Sequence, residues 1–357
     1  MSAGTSRSLS RRNLLGWTAA TSLWTASGRR GAAQAQTQTQ SGVRGREGKV
    51  ATLKLGSSQP TYTENAHSVF FDTFVSELAG ATNGDIGAVF YGDSQLGPED
   101  KYPTAIGFGT LDMMLTVSNW TTSVPELGVL TMGFLFDSMA QQGRVLDRNA
   151  GQQLQELFKT KTKAEILGWC FNFGGRNVLS KAPVTALAEF RGKKLRVLPS
   201  PTFVQTFRLL GATPVPMSFS EIYTSLQTGV IDGLEHDPPT ILQSKFYETA
   251  KNLTLTQHIF DPVAPIISAA SLKRLTDSQQ SAVRQAAATA VNAQRVKAEA
   301  AASVALDELK RNGIRTIEID RAPLVAAVKP LWNSFTEQYP ATKPVLQAIL
   351  ADAGQPN

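Results

Sequence analysis

From Asp277 to Arg311 the chain carries neither proline nor glycine, and alanine, glutamine and glutamate recur throughout. Thr276-Asp277-Ser278-Gln279 opens this run as a capping box, with Thr at the N-cap and Gln three residues on, and Asn312-Gly313 stops it. At ~1.5 Å per residue such a helix is about 50 Å long. A single compact domain is not that wide. The helix must therefore bridge two domains or kink, and the rest of the 357-residue chain has to supply what it bridges.

Two stretches supply it. Leu53–Gly56 is a short apolar run, and His67 to Thr82 places Val69, Phe70, Thr73, Phe74, Glu77 and Leu78 at a helical period. Asn83-Gly84 ends that helix and Ile86–Tyr91 reads as the next strand, so the unit is βαβ and its sheet parallel. Lys194–Leu198, Thr202–Leu210 and Thr213–Met217 repeat the pattern. Ser218-Phe219-Ser220-Glu221 is then a second capping box, followed by Ile222, Tyr223 and Leu226 at helical spacing and by Gly229 as a stop. Val230–Gly233 is expected to be one more strand. It runs into Glu235-His236-Asp237-Pro238-Pro239, where two prolines forbid continuing the sheet. Leu234–Pro239 is accordingly expected to be a loop at a strand's C-terminal end, where open α/β sheets place ligands.

Ahead of these lies Ser10-Arg11-Arg12-Asn13-Leu14-Leu15, a weakly apolar stretch to about Ala26, and Ala33-Gln34-Ala35. Paired arginines, a short apolar run and an A-x-A site describe a twin-arginine-like export signal over residues 1–35, with a flexible start over 36–49. The apolar run is too short and too interrupted to span a bilayer, no later window reaches the ~18 residues a membrane helix needs, and no cysteine near the leader offers a lipid anchor. The formal charge of +6 belongs to this leader: without its five arginines, 30 basic residues face 29 acidic ones, a net of +1. A nucleic-acid partner is not expected. The exported protein is expected to be soluble and periplasmic.

Catalytic signatures fail. Gly92-Asp93-Ser94-Gln95-Leu96-Gly97 misses the nucleophile-elbow spacing by one residue, Gly107-Phe108-Gly109 lacks the third glycine and preceding strand of a dinucleotide fold, and there is no P-loop and no H-E-x-x-H. Three histidines and one cysteine leave no framework for a metal centre or a disulfide, and no cofactor is expected. Cys170, between Trp169 and Phe171, reads as a buried core thiol. His236 beside Asp237 and Glu235 has the residue types for acid–base work, so a secreted hydrolase is the alternative from another class, although it needs a nucleophile or metal that the sequence does not offer.

In Gly192-Lys-Lys-Leu-Arg196-Val, Leu210-Gly-Ala-Thr-Pro-Val-Pro-Met217, Glu221-Ile-Tyr, Leu226-Gln-Thr-Gly229 and Ile231-Asp-Gly-Leu-Glu235 the chain resembles the DctP-type extracytoplasmic solute-binding proteins, the receptors of tripartite ATP-independent periplasmic (TRAP) transporters. Ser94-Gln95-Leu96-Gly97, Gly109-Thr-Leu-Asp112 and Phe246-Tyr247-Glu248 extend the resemblance in the same order, over roughly residues 50–345. It implies an α/β, two-domain periplasmic-binding-protein-like fold with hinge strands and a long helix across both domains. Domain I would comprise 50–173 plus 262–301, domain II 174–261 plus 302–345, and 346–357 would be a tail. It also implies a small organic-acid ligand, captured by domain closure and passed to the membrane permease subunits. A receptor feeding a sensor kinase is a second possibility of the same class. Monomer is the default expectation.

Site residues follow by matching positions. Arg196 is implied as the carboxylate anchor, a role a planar, always-charged guanidinium fills with two parallel hydrogen bonds. Arg176, in Gly174-Gly175-Arg176-Asn177, matches a second basic contact found in some members. His236 stands where several relatives carry an asparagine that bonds the ligand, and the local sequence departs from theirs as Glu235-His236-Asp237-Pro238; imidazole offers a donor to a carboxylate or hydroxyl and Asp237 an acceptor. Phe219 falls where a ring often meets the substrate. Trp120 is expected to line the cleft from the other domain, and Glu99, after Leu96-Gly97-Pro98, to meet the far end of the ligand. Acceptors and a histidine beside the arginines favour a hydroxylated monocarboxylate, such as a sugar acid, over a small dicarboxylate; aryl and keto acids also suit the rings.

Overall fold

The computed structural model describes residues 51–61 and 65–353; the leader and flexible start fall outside them. In chain order the strands are β1 (Ala51–Gly56), β2 (Ile86–Tyr91), β3 (Met113–Leu115), β4 (Ala164–Ile166), β5 (Cys170–Phe171), β6 (Arg176–Ser180), β7 (Lys194–Val197), β8 (Thr213–Pro216), β9 (Gly233–His236), β10 (Asn252–Ile259), β11 (Pro262–Val263), β12 (Pro265–Ser268) and β13 (Arg315–Ile317). One sheet runs β2-β1-β3-β12-β4 and a second runs β13-β10-β6-β9-β7-β8; β5 and β11 form a small antiparallel pair between them in sequence. The chain builds most of the first sheet, crosses to build most of the second, and returns through β12, which lies antiparallel between β3 and β4.

Both sequence-predicted βαβ units are present. β1 pairs in parallel with β2 and β7 with β8, joined by α1 (Ala66–Ala81) and α5 (Pro201–Leu209), with α2 (Tyr102–Phe108), α3 (Met139–Leu146) and α4 (Asn149–Lys161) between. Phe70, Phe71 and Phe74 of α1 are fully buried with Leu53 and Leu55 of β1, each such ring or branch contributing about 1.5–3 kcal/mol of burial. α6 (Ile222–Thr228) starts at the expected Ser218–Glu221 capping box and ends at Gly229, whose φ of 79° is the left-handed turn a C-cap glycine supplies without strain.

After α7 (Pro238–Gln243) and the short α8 (Ala269–Lys273) comes α9, Asp277–Arg311, with the Thr276/Gln279 capping box formed. Val283, Ala286, Ala287 and Ala290 of α9 pack into the core of the first sheet beside α1, and Leu309 packs into that of the second with Ile241 of α7. The helix thus bridges the two, as its length demanded. Small side chains permit the close approach: a Cβ on Gly174, which sits at φ 107°, would lie 2.6 Å from the Ala302 Cβ.

Two expectations need correction. Leu234–Pro239 is not a loop: β9 extends through His236, and Pro238 and Pro239 begin α7. A helix's first turn has no use for their missing N–H groups, and Asp237 caps it by accepting from the Thr240 N–H at 2.9 Å. Nor are residues 346–353 a tail. α10 (Ala322–Val328), α11 (Pro330–Gln338) and α12 (Lys343–Asp352) close the chain, with Leu346 and Ile349 buried, Gln141 of α3 bonding the Ile349 carbonyl, and Arg144 pairing Asp352 at 2.9 Å.

Candidate functional site

The C-terminal ends of β1 and β3 and the inner ends of β6, β7 and β9 meet at a cleft. Arg196 enters it from β7. Its Nε and Nη2 both donate to the Met217 carbonyl, at 3.1 and 2.9 Å, which fixes the guanidinium by one edge. Nη1, shut off from solvent, has no partner among the described residues. Burial lowers Arg196 to about 10, with Arg176 adding to the fall and Glu235 and Glu99 opposing it, so the group stays cationic at neutral pH.

Arg176, on β6, is held in the same manner by a different partner. Its Nε donates to Glu235 Oε2 and its Nη2 to Glu235 Oε1 at 2.9 Å and to the Glu235 carbonyl at 3.2 Å. β6 and β9 run antiparallel with Glu235 opposite Val178, two residues along from Arg176, so the two side chains share a face of the sheet. Phe203 lies under the guanidinium at 5.2 Å, and Nη1 faces Asp261 Oδ2 at 3.7 Å. Glu235 is fully buried; burial would raise its carboxyl, but Arg176 and His258 outweigh that and hold it down at about 2. An unpaired cation or carboxylate could not sit at this depth.

Acceptors line the opposite wall. Asp261, following β10, accepts from the Ser118 hydroxyl at 2.9 and 3.1 Å, and burial raises it to about 6. Glu99 accepts from the Ser58 hydroxyl through Oε2 at 2.8 Å, its Oε1 is buried without a partner, and burial raises it to about 7. His236, at the end of β9, shares a 2.6 Å hydrogen bond through Nδ1 with Asp237 Oδ2. Asp237 also accepts from the Thr240 N–H and hydroxyl and is held below the usual carboxylate range, so the shared proton belongs on His236 Nδ1 and its Nε2 is the acceptor edge. Burial, with Arg176, lowers His236 and keeps it neutral. His67, in the first turn of α1, completes the wall: Ser57 bonds its Nδ1 at 2.6 Å and burial pushes it down to about 3. One buried region therefore offers guanidinium N–H donors on one side and carboxylate or imidazole acceptors on the other.

Residues 57–338 match the bacterial extracellular solute-binding protein family 7, DctP. The chain belongs to that family. It is similar to a TRAP periplasmic solute-binding protein of Xanthobacter autotrophicus Py2 solved with bound β-D-galacturonate, at 29% identity and a TM-score of 0.79 over 84% of this chain and 99% of that one. One of Roseobacter denitrificans OCh 114 solved with L-galactonate gives the same identity, TM-score and coverage. The 2,3-diketo-L-gulonate-binding periplasmic protein of Escherichia coli K12 is 30% identical over 84% of this chain and 91% of its own length. DctP proteins are periplasmic binding proteins of transporters, not enzymes, and among the described residues no helix is long and apolar enough to cross a membrane.

Against the DctP matching, Arg196, Arg176, His236, Phe219 and Glu99 all line the cleft. Phe219 packs edge-on to His236 and Phe246, each at 5.7 Å. Glu235 and Asp237 lie one layer behind, the first neutralising Arg176 and the second orienting His236, so neither is placed to meet a ligand and Asp237 is no acceptor for its hydroxyls. Trp120 does not line the cleft: it is buried in the core, edge-on to Phe158 at 4.8 Å, and its neighbour Asn119 lines the cleft instead. Residue matching missed His67, Asp261, Ser58 and Asn119. His67 had a readable signal, since it opens the helix after the first strand of a βαβ unit. Asp261 had none, because only the fold brings it to Arg176. Cys170 is fully buried, and burial pushes its thiol up.

Proposed function

We propose that this DctP protein is a periplasmic receptor that captures a hydroxylated monocarboxylate, a sugar acid, between two α/β lobes and delivers it to a TRAP permease. The observation that carries this reading is the paired state of the arginines. Each guanidinium is locked by its Nε/Nη2 edge, and Nη1 of Arg196 is buried without an acceptor. A buried donor left unmade costs about 1–3 kcal/mol, and a ligand carboxylate recovers that in a charge-assisted bond. Glu99, Asp261 and His236 Nε2 supply acceptors for hydroxyls. An aryl or keto acid would leave those acceptors bare, and a dicarboxylate would set charge against charge.

Sugar acids bound in the solved relatives support the same class. Residues 50–173 with 262–301, and 174–261 with 302–345, are the proposed lobes, with the C-terminal helices packed against both. Export through the twin-arginine-like leader and a monomeric receptor complete the proposal.

A thermal-shift screen with sugar acids, dicarboxylates and aryl acids tests it. At ~100-fold over Kd a ligand stabilises by about 2.7 kcal/mol, several degrees in Tm for a chain of this size. Shifts confined to hydroxylated monocarboxylates and lost in Arg196→Ala are expected. Shifts that survive Arg196→Ala would reject the anchor.

A further inference from the structure

Glu99 opens a single helical turn, Glu99–Lys101, directly after Gly97-Pro98. The Ser58 hydroxyl holds its Oε2, while Oε1 is enclosed with no hydrogen-bond partner among the described residues. The same cleft holds the complementary orphan, Arg196 Nη1. A molecule that satisfies both presents an acceptor at one end and a hydrogen-bond donor at the other. A hydroxyl does this for Glu99. A second carboxylate brings only acceptors and a like charge to an enclosed site, where screening is weakest.

We infer that Glu99 is the specificity-determining residue at the far end of the ligand, selecting a hydroxyl there and rejecting a second carboxylate. The receptor then separates a sugar monoacid from the diacid that differs only by oxidation of the terminal carbon. This rests on the sugar-acid reading above and names the side chain that sharpens it.

Several charged or titratable groups surround Glu99: Arg196 from β7, Asp261 after β10, Tyr102 of α2, its neighbours Asp100 and Lys101, and His67 and Arg176 across the cleft. Burial sets Glu99 at about 7, so its charge grows over the working range of a periplasmic protein while Arg196 stays charged; Asp261, at about 6, titrates one step lower. Rejection of the diacid must grow with pH. Below pH 7 a protonated Glu99 donates to a second carboxylate and tolerates it.

Calorimetric titration of the purified chain with galactonate and with galactarate, at pH 6.0 and 8.5, tests this in the wild type and in Glu99→Gln. In the wild type the preference for the monoacid is expected to be about tenfold greater at pH 8.5 than at pH 6.0, the scale of placing like charges together. Glu99→Gln is expected to bind both with a ratio that pH moves much less, through Asp261 alone. A wild-type ratio equal at the two pH values overturns the inference, and decides it even if Glu99→Gln does not fold. A variant whose ratio tracks the wild type's at both pH values overturns it as well. Absence of binding by either acid to the wild type rejects the sugar-acid reading and this inference with it.

Discussion

Arg176 and Arg196 look interchangeable as cleft cations, yet their removal should have opposite signatures. Arg176→Ala strands the Glu235 carboxylate, which is fully buried with His258 at 3.4 Å beside it. Breaking one partner of a buried pair costs about 3–5 kcal/mol, so the ligand-free variant should unfold at a clearly lower urea concentration. Arg196→Ala frees only the Met217 carbonyl, at a cost of about 1 kcal/mol, while sugar-acid affinity should fall by two orders of magnitude or more. Equal urea midpoints for the two variants would show that the Glu235 pair does not hold the apo cleft together. At this scale residue type alone did not single out the two arginines; the resemblance to the DctP family did, and both line the cleft. It was uninformative where burial decides: Trp120 had the chemistry of a cleft aromatic, but the turn at Ser118–Trp120 sends the indole to the Phe158 side and leaves Asn119 at the cleft.

The segment Met217–Glu221 shows how one element serves several ends. The Met217 carbonyl fixes Arg196, Phe219 packs on His236, and the Ser218 hydroxyl accepts in the capping box of the following helix while donating to Asp100 Oδ1 at 3.0 Å, beside Glu99 on the far wall. That bond ties the two walls across the mouth of the cleft. Asp100→Ala removes the tie and spares the cap; Ser218→Ala removes both. Both variants should release ligand several-fold faster in stopped-flow displacement, and only Ser218→Ala should also lose about 1 kcal/mol of stability. Unchanged release from Asp100→Ala would make the bond incidental to capture. Local elements of this kind were legible, since capping boxes, stop glycines and hydrophobic periods are written in adjacent residues. Pro238-Pro239 misled because proline punctuates a sheet and starts a helix equally well, and only the Asp237 cap distinguishes the two. The returns of β10 and β12 into sheets begun far earlier carry no local signature at all.

Across the whole molecule, the buried titratable groups pull in two directions, and their balance fixes how the apo protein responds to acid. All three histidines are lowered by burial, His67 to about 3. Their contribution is present above the unfolded value of about 6.5 and is lost as pH falls, because the unfolded chain takes protons the fold refuses. Glu99 and Asp261, raised to about 7 and 6, act oppositely: the fold takes their protons first, so they add stability as pH falls through those values. Partly exposed Asp72 and Asp93 lean the same way. Between pH 6 and 5 the protons that the histidines refuse stand against those that Glu99 and Asp261 accept, so stability should fall with pH less steeply than the histidines alone would make it. Below 4.5 the slope steepens, as Glu235, held near 2, begins to lose its advantage over the unfolded chain. Glu99→Gln deletes one accepted proton, so urea midpoints of that variant should decline more steeply than the wild type's from pH 6 to 5. Parallel declines would mean that Glu99 does not hold its proton in the empty cleft, and that its charge is already present when a ligand arrives.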